Sequence, residues 1–208
     1  MDDRRARDTG RLALAVGVVA AGTVACLASY FVVGGPLGTI NDVGNAATGV
    51  LSGWLAWRMR GEPGGRRAAV SVGLAVAGAC ITVAGSALVV SGTTGFLFAG
   101  LVSSVGFAGI GTWLVVMNRS AAAAPRWPRR LRLLGVAAGV LMAVGIVSAP
   151  GIPLRLDDMS TAPGWVWIGL ASWLGTYAAY PLWAIWVGLL EGRIGRGTAS
   201  TRVAVATD

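Results

Sequence analysis

Six apolar runs alternate with clusters of arginine, and this alternation constrains the chain more than any motif in it. The runs cover 12–33, 40–57, 68–90, 95–117, 133–149 and 164–190. Crossing about 30 Å of hydrocarbon at 1.5 Å per residue takes about 20 apolar residues, so each run is a candidate membrane helix. The basic residues are all Arg, 17 in number. They gather at Arg4–Arg11, Arg58–Arg67, Arg119–Arg132 and Arg193–Arg202, with Arg155 alone elsewhere. Six spans place 16 of them on one side of a bilayer and 1 on the other. The positive-inside rule makes the basic side cytoplasmic. The run 40–57 is the least apolar, because it carries Asn41, Asp42 and Asn45. Omitting it would send the later clusters to the wrong face. The expected fold is an all-α integral membrane protein of six helices with both termini cytoplasmic. A basic segment 1–11 precedes the bundle 12–190, and a disordered tail 191–208 follows it.

Composition agrees with this reading. Hydrophobic residues make up 55% and charged residues 12%, with 32 Gly and a mean hydropathy of +0.69, which a soluble enzyme of this length does not show. The chain has no His, which excludes His-based zinc and haem sites and Ser-His-Asp chemistry. Cys26 and Cys80 stand singly inside apolar runs and read as small buried hydrophobes. No metal or cofactor is expected. The net charge of +8 resembles a nucleic-acid footprint, but the orientation signals account for almost every Arg, so no nucleic-acid partner is expected. The stretch from Pro125 to Arg132 carries Trp127 among its arginines and reads as an anchor on anionic headgroups. The first run is longer than the 7–15 apolar residues of a signal peptide and is expected to stay uncleaved. Exclusive use of Arg, with abundant Ala and Gly, points to a GC-rich bacterial genome and hence to a bacterial cell membrane.

Two even-numbered runs end alike. Trp54-Leu55 and Trp113-Leu114 are each followed by an Arg six residues after the Trp, at Arg60 and Arg119. A helical hairpin used three times would explain this, and so would convergence on Trp and Arg at one interface. Trp57, Trp113, Trp183 and Trp186 at the inner face, with Trp165 and Trp167 at the outer, read as interfacial belts. Small residues recur at helical spacing in four runs: Gly17, Ala21, Ala25 and Ser29; Gly78, Thr82 and Gly85 or Ser86; Gly100, Ser104 and Ala108; Gly135, Gly139 and Ala143. Such faces allow close helix contact, within one bundle or between copies.

Polar residues inside the runs carry the functional candidates. Asp42 is the one acid within them, and intramembrane acids mark function by default. Thr39 and Asp42 also have the spacing of a capping box, which would make Asp42 a helix cap. Below it, Asn41, Asn45, Thr48 and Ser52 run down one helical face for three turns, which a cap does not require. The last run offers a facing stripe in Ser172, Thr176 and Tyr180 with Tyr177 beside it, and Pro181 is expected to kink that helix by freeing the carbonyl of Tyr177. Trp173, near mid-membrane, either packs or faces a ligand. These residues define a candidate pocket of Asn41, Asn45, Thr48, Ser52, Trp173 and Thr176, with Asp42, Tyr177 and Tyr180 as candidate catalytic groups. Asp157 and Asp158 read as solvated loop acids or the mouth of that pocket. Glu191 is expected to pair with Arg193 or Arg58, and Glu62 and the N-terminal acids to be solvated.

Three functions remain open. The leading one is a non-catalytic bundle that contacts the lipid bilayer and binds a lipid, a membrane-protein partner or a second copy through its packing faces. Another is a membrane-embedded enzyme on an apolar substrate, with Asp42 as acid or base. The last is a small-solute transporter, favoured by Pro181 and the hairpins.

Overall fold

Glycine pairs and prolines, not charges, set the ends of the helices away from the arginines. Helix α1 (Asp3–Val33) stops where Gly34 and Gly35 take φ of 71° and 70°, a left-handed turn open to residues without a Cβ. Pro36 then starts α2 (Leu37–Arg58). Helix α3 (Arg66–Val90) ends before Gly92 at φ 69°, and α4 (Phe96–Arg119) completes a tight hairpin with it. A short α5 (Ala123–Arg126) leads to α6 (Arg129–Ala143), which continues as a 3-10 helix over Val144–Gly151. The last segment is broken into α7 (Gly164–Leu170), α8 (Ser172–Leu174), a π-helix (Gly175–Ala179) and α9 (Tyr180–Val205). The computed structural model describes residues 3–61, 65–120 and 123–205, and among them every regular element is helical.

Four stretches are long and apolar enough to cross a membrane: Arg4–Val33, Arg66–Val90, Phe96–Arg119 and Arg129–Gly151. Helix α2 has the length, at 22 residues, but its polar stripe lowers its hydropathy. The last segment has the length too, and its irregular geometry divides it. Large apolar side chains cover much of the outer surface, among them Phe31, Val32, Leu174 and Leu182, as expected of helices in contact with lipid.

The helices form a ring in which α1, α2, α3, α4 and α6 each pack on the next, and the last segment closes it between α6 and α1. The main core lies in the half that carries the arginines and is built on Leu55, Ile110, Trp113, Leu131, Met142 and Trp183. A smaller cluster of Leu97, Leu101, Val166 and Leu170 lies at the opposite end. Small residues bring the helices together: a Cβ on Gly78 or Gly106 would run into the backbone of the facing helix, as would one on Gly111 or Gly139, and one on Gly49 would press on Thr82. Most of the small-residue faces are therefore used inside the molecule. Of the small residues Gly17, Ala21, Ala25 and Ser29 of α1, Gly17 is used in this way, against Ile185 and the Pro181 carbonyl, while Ala21, Ala25 and Ser29 are exposed; Gly10 makes a second close approach, to the Gly188 carbonyl.

Several expectations change here. Helix α1 begins within the segment 1–11, and α9 runs to Val205 through the stretch expected to be disordered. A π-helix directly precedes Pro181. The Tyr180 N–H bonds the Gly175 carbonyl five residues back, so one extra residue enters the turn just before the proline that lacks a donor. Trp113 and Trp183 do not form a belt; they are buried in the core together with Trp127. Cys26 and Cys80 are free thiols, and Cys80 is exposed on α3 instead of buried.

Candidate functional site

Positions 41, 45, 48 and 52 of α2 share one face, and the structure buries all four side chains. They form a ladder of polar contacts. Asn41 Nδ2 donates to the Thr23 carbonyl of α1 (3.1 Å), and Asn45 Nδ2 donates to Asn41 Oδ1 (3.3 Å). Tyr177 reaches across from the π-helix and donates to Asn45 Oδ1 (3.2 Å). Two turns further along α2, Tyr180 donates to Ser52 Oγ (2.7 Å), whose own proton goes to the Thr48 carbonyl (2.6 Å). Long tyrosine side chains thus bridge α2 to the last segment across the ring. Thr48 Oγ1 is buried without a partner among the described residues.

Beside this ladder, at the end of the bundle away from the arginines, lies a chamber of about 20 Å³ between α2, α3, α4 and the last segment. That is room for about one water. Asp42, Asn45, Ser86, Ser103, Ser104, Thr176 and Tyr177 line it. Most of the fixed protons around it are committed elsewhere. Thr176 donates to the Ser172 carbonyl (3.3 Å), and Ser104 donates to the Gly100 carbonyl (2.8 Å) while accepting from Trp173 Nε1 (3.1 Å). Ser86 Oγ, 4% exposed at the residue level, has no partner among the described residues. The chamber therefore presents a carboxylate and hydroxyl and amide oxygens with lone pairs to spare. Trp173 covers one side, edge-on to Phe96 (5.9 Å) and Tyr177 (6.0 Å).

The arginine side of the chamber is sealed. Tyr180 stacks on Trp183 (6.0 Å), and Trp183 meets Trp113 and Trp127 edge-on at 6.2 and 5.8 Å. Trp183 Nε1 donates to Asn118 Oδ1 (3.1 Å), and Asn118 Nδ2 donates to the Leu114 carbonyl (2.8 Å). Below them Glu191, fully buried, accepts from Trp127 Nε1 (2.9 Å) and from Arg126 Nε (2.6 Å). In the sequence Asn118 and Glu191 each sit next to arginines, where a polar residue ordinarily marks the interface, and no local pattern joins them in one network. The stretch from Pro125 to Arg132 reads as a headgroup anchor with Trp127 among its arginines. Trp127 takes no part in such an anchor, since it is buried at 2% exposure and Arg126 is turned inward with it, while Arg129 and Arg130 stay exposed.

The acids take other roles than expected. Helix α2 starts at Leu37 with no capping side chain, so Thr39 and Asp42 lie inside it and form no capping box. Asp157 is the cap instead: its carboxylate accepts from the Gly95 and Phe98 N–H groups (2.5 and 3.0 Å) at the start of α4. Asp158 accepts from the backbone and side chain of Ser160 (both 2.8 Å), which hold its pKa below the usual carboxylate value. Glu191 pairs with Arg126 and not with Arg193 or Arg58, and Arg58 pairs with Asp8 (3.2 Å), which is thus not simply solvated. Glu62 lies outside the described residues. Among the described residues no group of three or more His, Cys, Asp or Glu gathers as metal ligands. Compared with protein-family models, with curated proteins and with solved structures, the chain matches none of them.

Proposed function

We propose that this chain is a six-span membrane protein, both termini cytoplasmic, that binds one small cation from the outer side in the chamber at Asp42, in the manner of a small-solute transporter and without catalysis. The observation that carries the reading is the chamber itself: one carboxylate and several oxygen acceptors around a space of about 20 Å³. Asp42 is half-buried, and a carboxylate partly withdrawn from water is stabilised by a compensating positive charge. Oxygen ligands select hard cations, and the volume admits a bare ion but not a hydrated one. An enzyme acting on an apolar substrate at Asp42 would need a space many times larger. The aromatic seal below the chamber supports access from one side only, and the π-helix and Pro181 supply a joint next to Tyr177.

Binding of a lipid or protein partner through the small-residue faces is less well supported, since most of these faces meet one another inside the bundle. The test is thermal unfolding of the full chain in nanodiscs in lithium, sodium, potassium or choline chloride at equal ionic strength. A ligand present at about 100 times its Kd stabilises by about 2.7 kcal/mol. The smaller alkali cations are expected to raise the Tm of the wild type by several degrees over choline and to leave Asp42→Asn unmoved. Equal Tm in all four salts, with the protein folded, would remove the cation reading.

A further inference from the structure

We propose that the groove between the arginine ends of α3 and α4 binds one anionic phospholipid of the inner leaflet, its phosphate held by Arg66, Arg67 and Arg119 and one acyl chain lying along the groove. The groove has a volume of about 880 Å³, and these three arginines stand at its mouth with Val70, Leu74 and Val115 along its length. All three arginines are exposed. Among the described residues no ion pair joins any of them to an acid. This sets them apart from Arg58 and Arg126, which pair with Asp8 and Glu191.

The backbone adds to the same charge. Helix α3 runs for 25 residues from an extended Gly65 with no capping side chain, so the free N–H groups of its first turn and its positive dipole end point to the mouth. An anion there meets guanidinium groups from two helices and an uncapped helix start. The floor carries no unmet polar demand, because Ser71 and Thr112 donate to carbonyls of their own helices (2.9 Å to Ala68, 2.9 Å to Ala108). From Arg66 to Leu74 the groove is about 12 Å long at 1.5 Å per residue, most of one leaflet of a hydrocarbon core about 30 Å thick. Charge at the rim and apolar length below it match a phospholipid, and free phosphate would leave the apolar part unused.

The proposal rests on the membrane reading but not on the cation. The full chain is placed in nanodiscs of phosphatidylcholine with phosphatidylglycerol at a four-to-one ratio, and retained lipids are counted by native mass spectrometry. The wild type is expected to keep one phosphatidylglycerol through detergent exchange. Each arginine near an anionic surface contributes about fivefold in affinity, so R66Q/R67Q/R119Q is expected to lose about 100-fold. R129Q/R130Q, which removes exposed charges at the start of α6, is expected to keep the lipid. V70W fills the groove with the arginines intact and is expected to lose it. The proposal is overturned if the triple variant retains the lipid, if V70W binds as the wild type does, or if millimolar inorganic phosphate displaces the lipid. A wild type that enters the nanodisc yet keeps no phosphatidylglycerol overturns it too, whereas failure to enter a bilayer at all strikes at the membrane reading.

Discussion

Tyr180 donates its phenolic proton to Ser52 at 2.7 Å while its ring stacks on Trp183 at an interplanar angle of 15°. One side chain therefore joins the polar ladder of α2 to the aromatic seal beneath it. Removing the hydroxyl leaves Ser52 bonded to its own helix but breaks the bridge. Tyr180→Phe is expected to cost about 1 kcal/mol, and Ser52→Ala a similar amount. The double variant should cost clearly less than the sum, a coupling that a double-mutant cycle of unfolding in detergent measures.

Glu191 is a buried charge held by Arg126 and Trp127. Glu191→Ala leaves the guanidinium without its carboxylate, and losing one partner of a buried pair costs about 3–5 kcal/mol. Glu191→Gln keeps an acceptor for the Trp127 N–H and should cost less. Tryptophan fluorescence checks both, since the loss of order around Trp127 and Trp183 should shift the emission to longer wavelength in the Ala variant first.

Asp157 caps a helix from a distant loop. Asp157→Ala frees the N–H groups of Gly95 and Phe98 and is expected to lower stability by about 1 kcal/mol. Asp158 accepts only from Ser160 in its own turn, so Asp158→Ala should change the Tm little. Equal effects of the two substitutions would show that the loop, and not the cap, is what the carboxylate stabilises.

Gly106 faces the carbonyl of Gly78 and the side chain of Thr82 across the α3/α4 hairpin. Gly106→Val is expected to abolish the folded protein, because a helix backbone cannot move aside as a flexible side chain can. Gly73 on α3 has open space around it, and Gly73→Ala should be neutral or stabilising by about 0.5–1 kcal/mol. Yields after solubilisation and unfolding midpoints separate the two.

Cys80 is exposed on the outer face of α3, in an apolar groove with Trp54 and Val76. If that face meets lipid, a charged maleimide should not modify Cys80 of a Cys26→Ala variant in intact membranes, while a lipid-soluble one should. Rapid reaction with the charged reagent would place α3 in water and would count against its span.

Much of this was legible in the sequence for a physical reason. An apolar run of about 20 residues has to be a helix in lipid, because every backbone polar group must be satisfied within the segment. Helical spacing placed Asn41, Asn45, Thr48 and Ser52 on one face before any partner was known. Periodicity within a helix is local information, and so the stripe could be read. Which helix faces it is not local. The bonds of Tyr177 to Asn45 and Tyr180 to Ser52 depend on how the ring closes and on the extra residue of the π-helix that sets where those tyrosines point. The same holds for the acids. Asp42 and Asp157 carry one charge each in the sequence, and only the packing makes the first a wall of a chamber and the second the cap of α4. Trp127 and Glu191 mark the same boundary. Sequence alone determines that the apolar runs are helices and which of their faces are polar; the tertiary structure decides where the helices end and which side chains pair, because the bonds of Tyr177, Tyr180, Asp157 and Glu191 are made to residues more than 60 positions away.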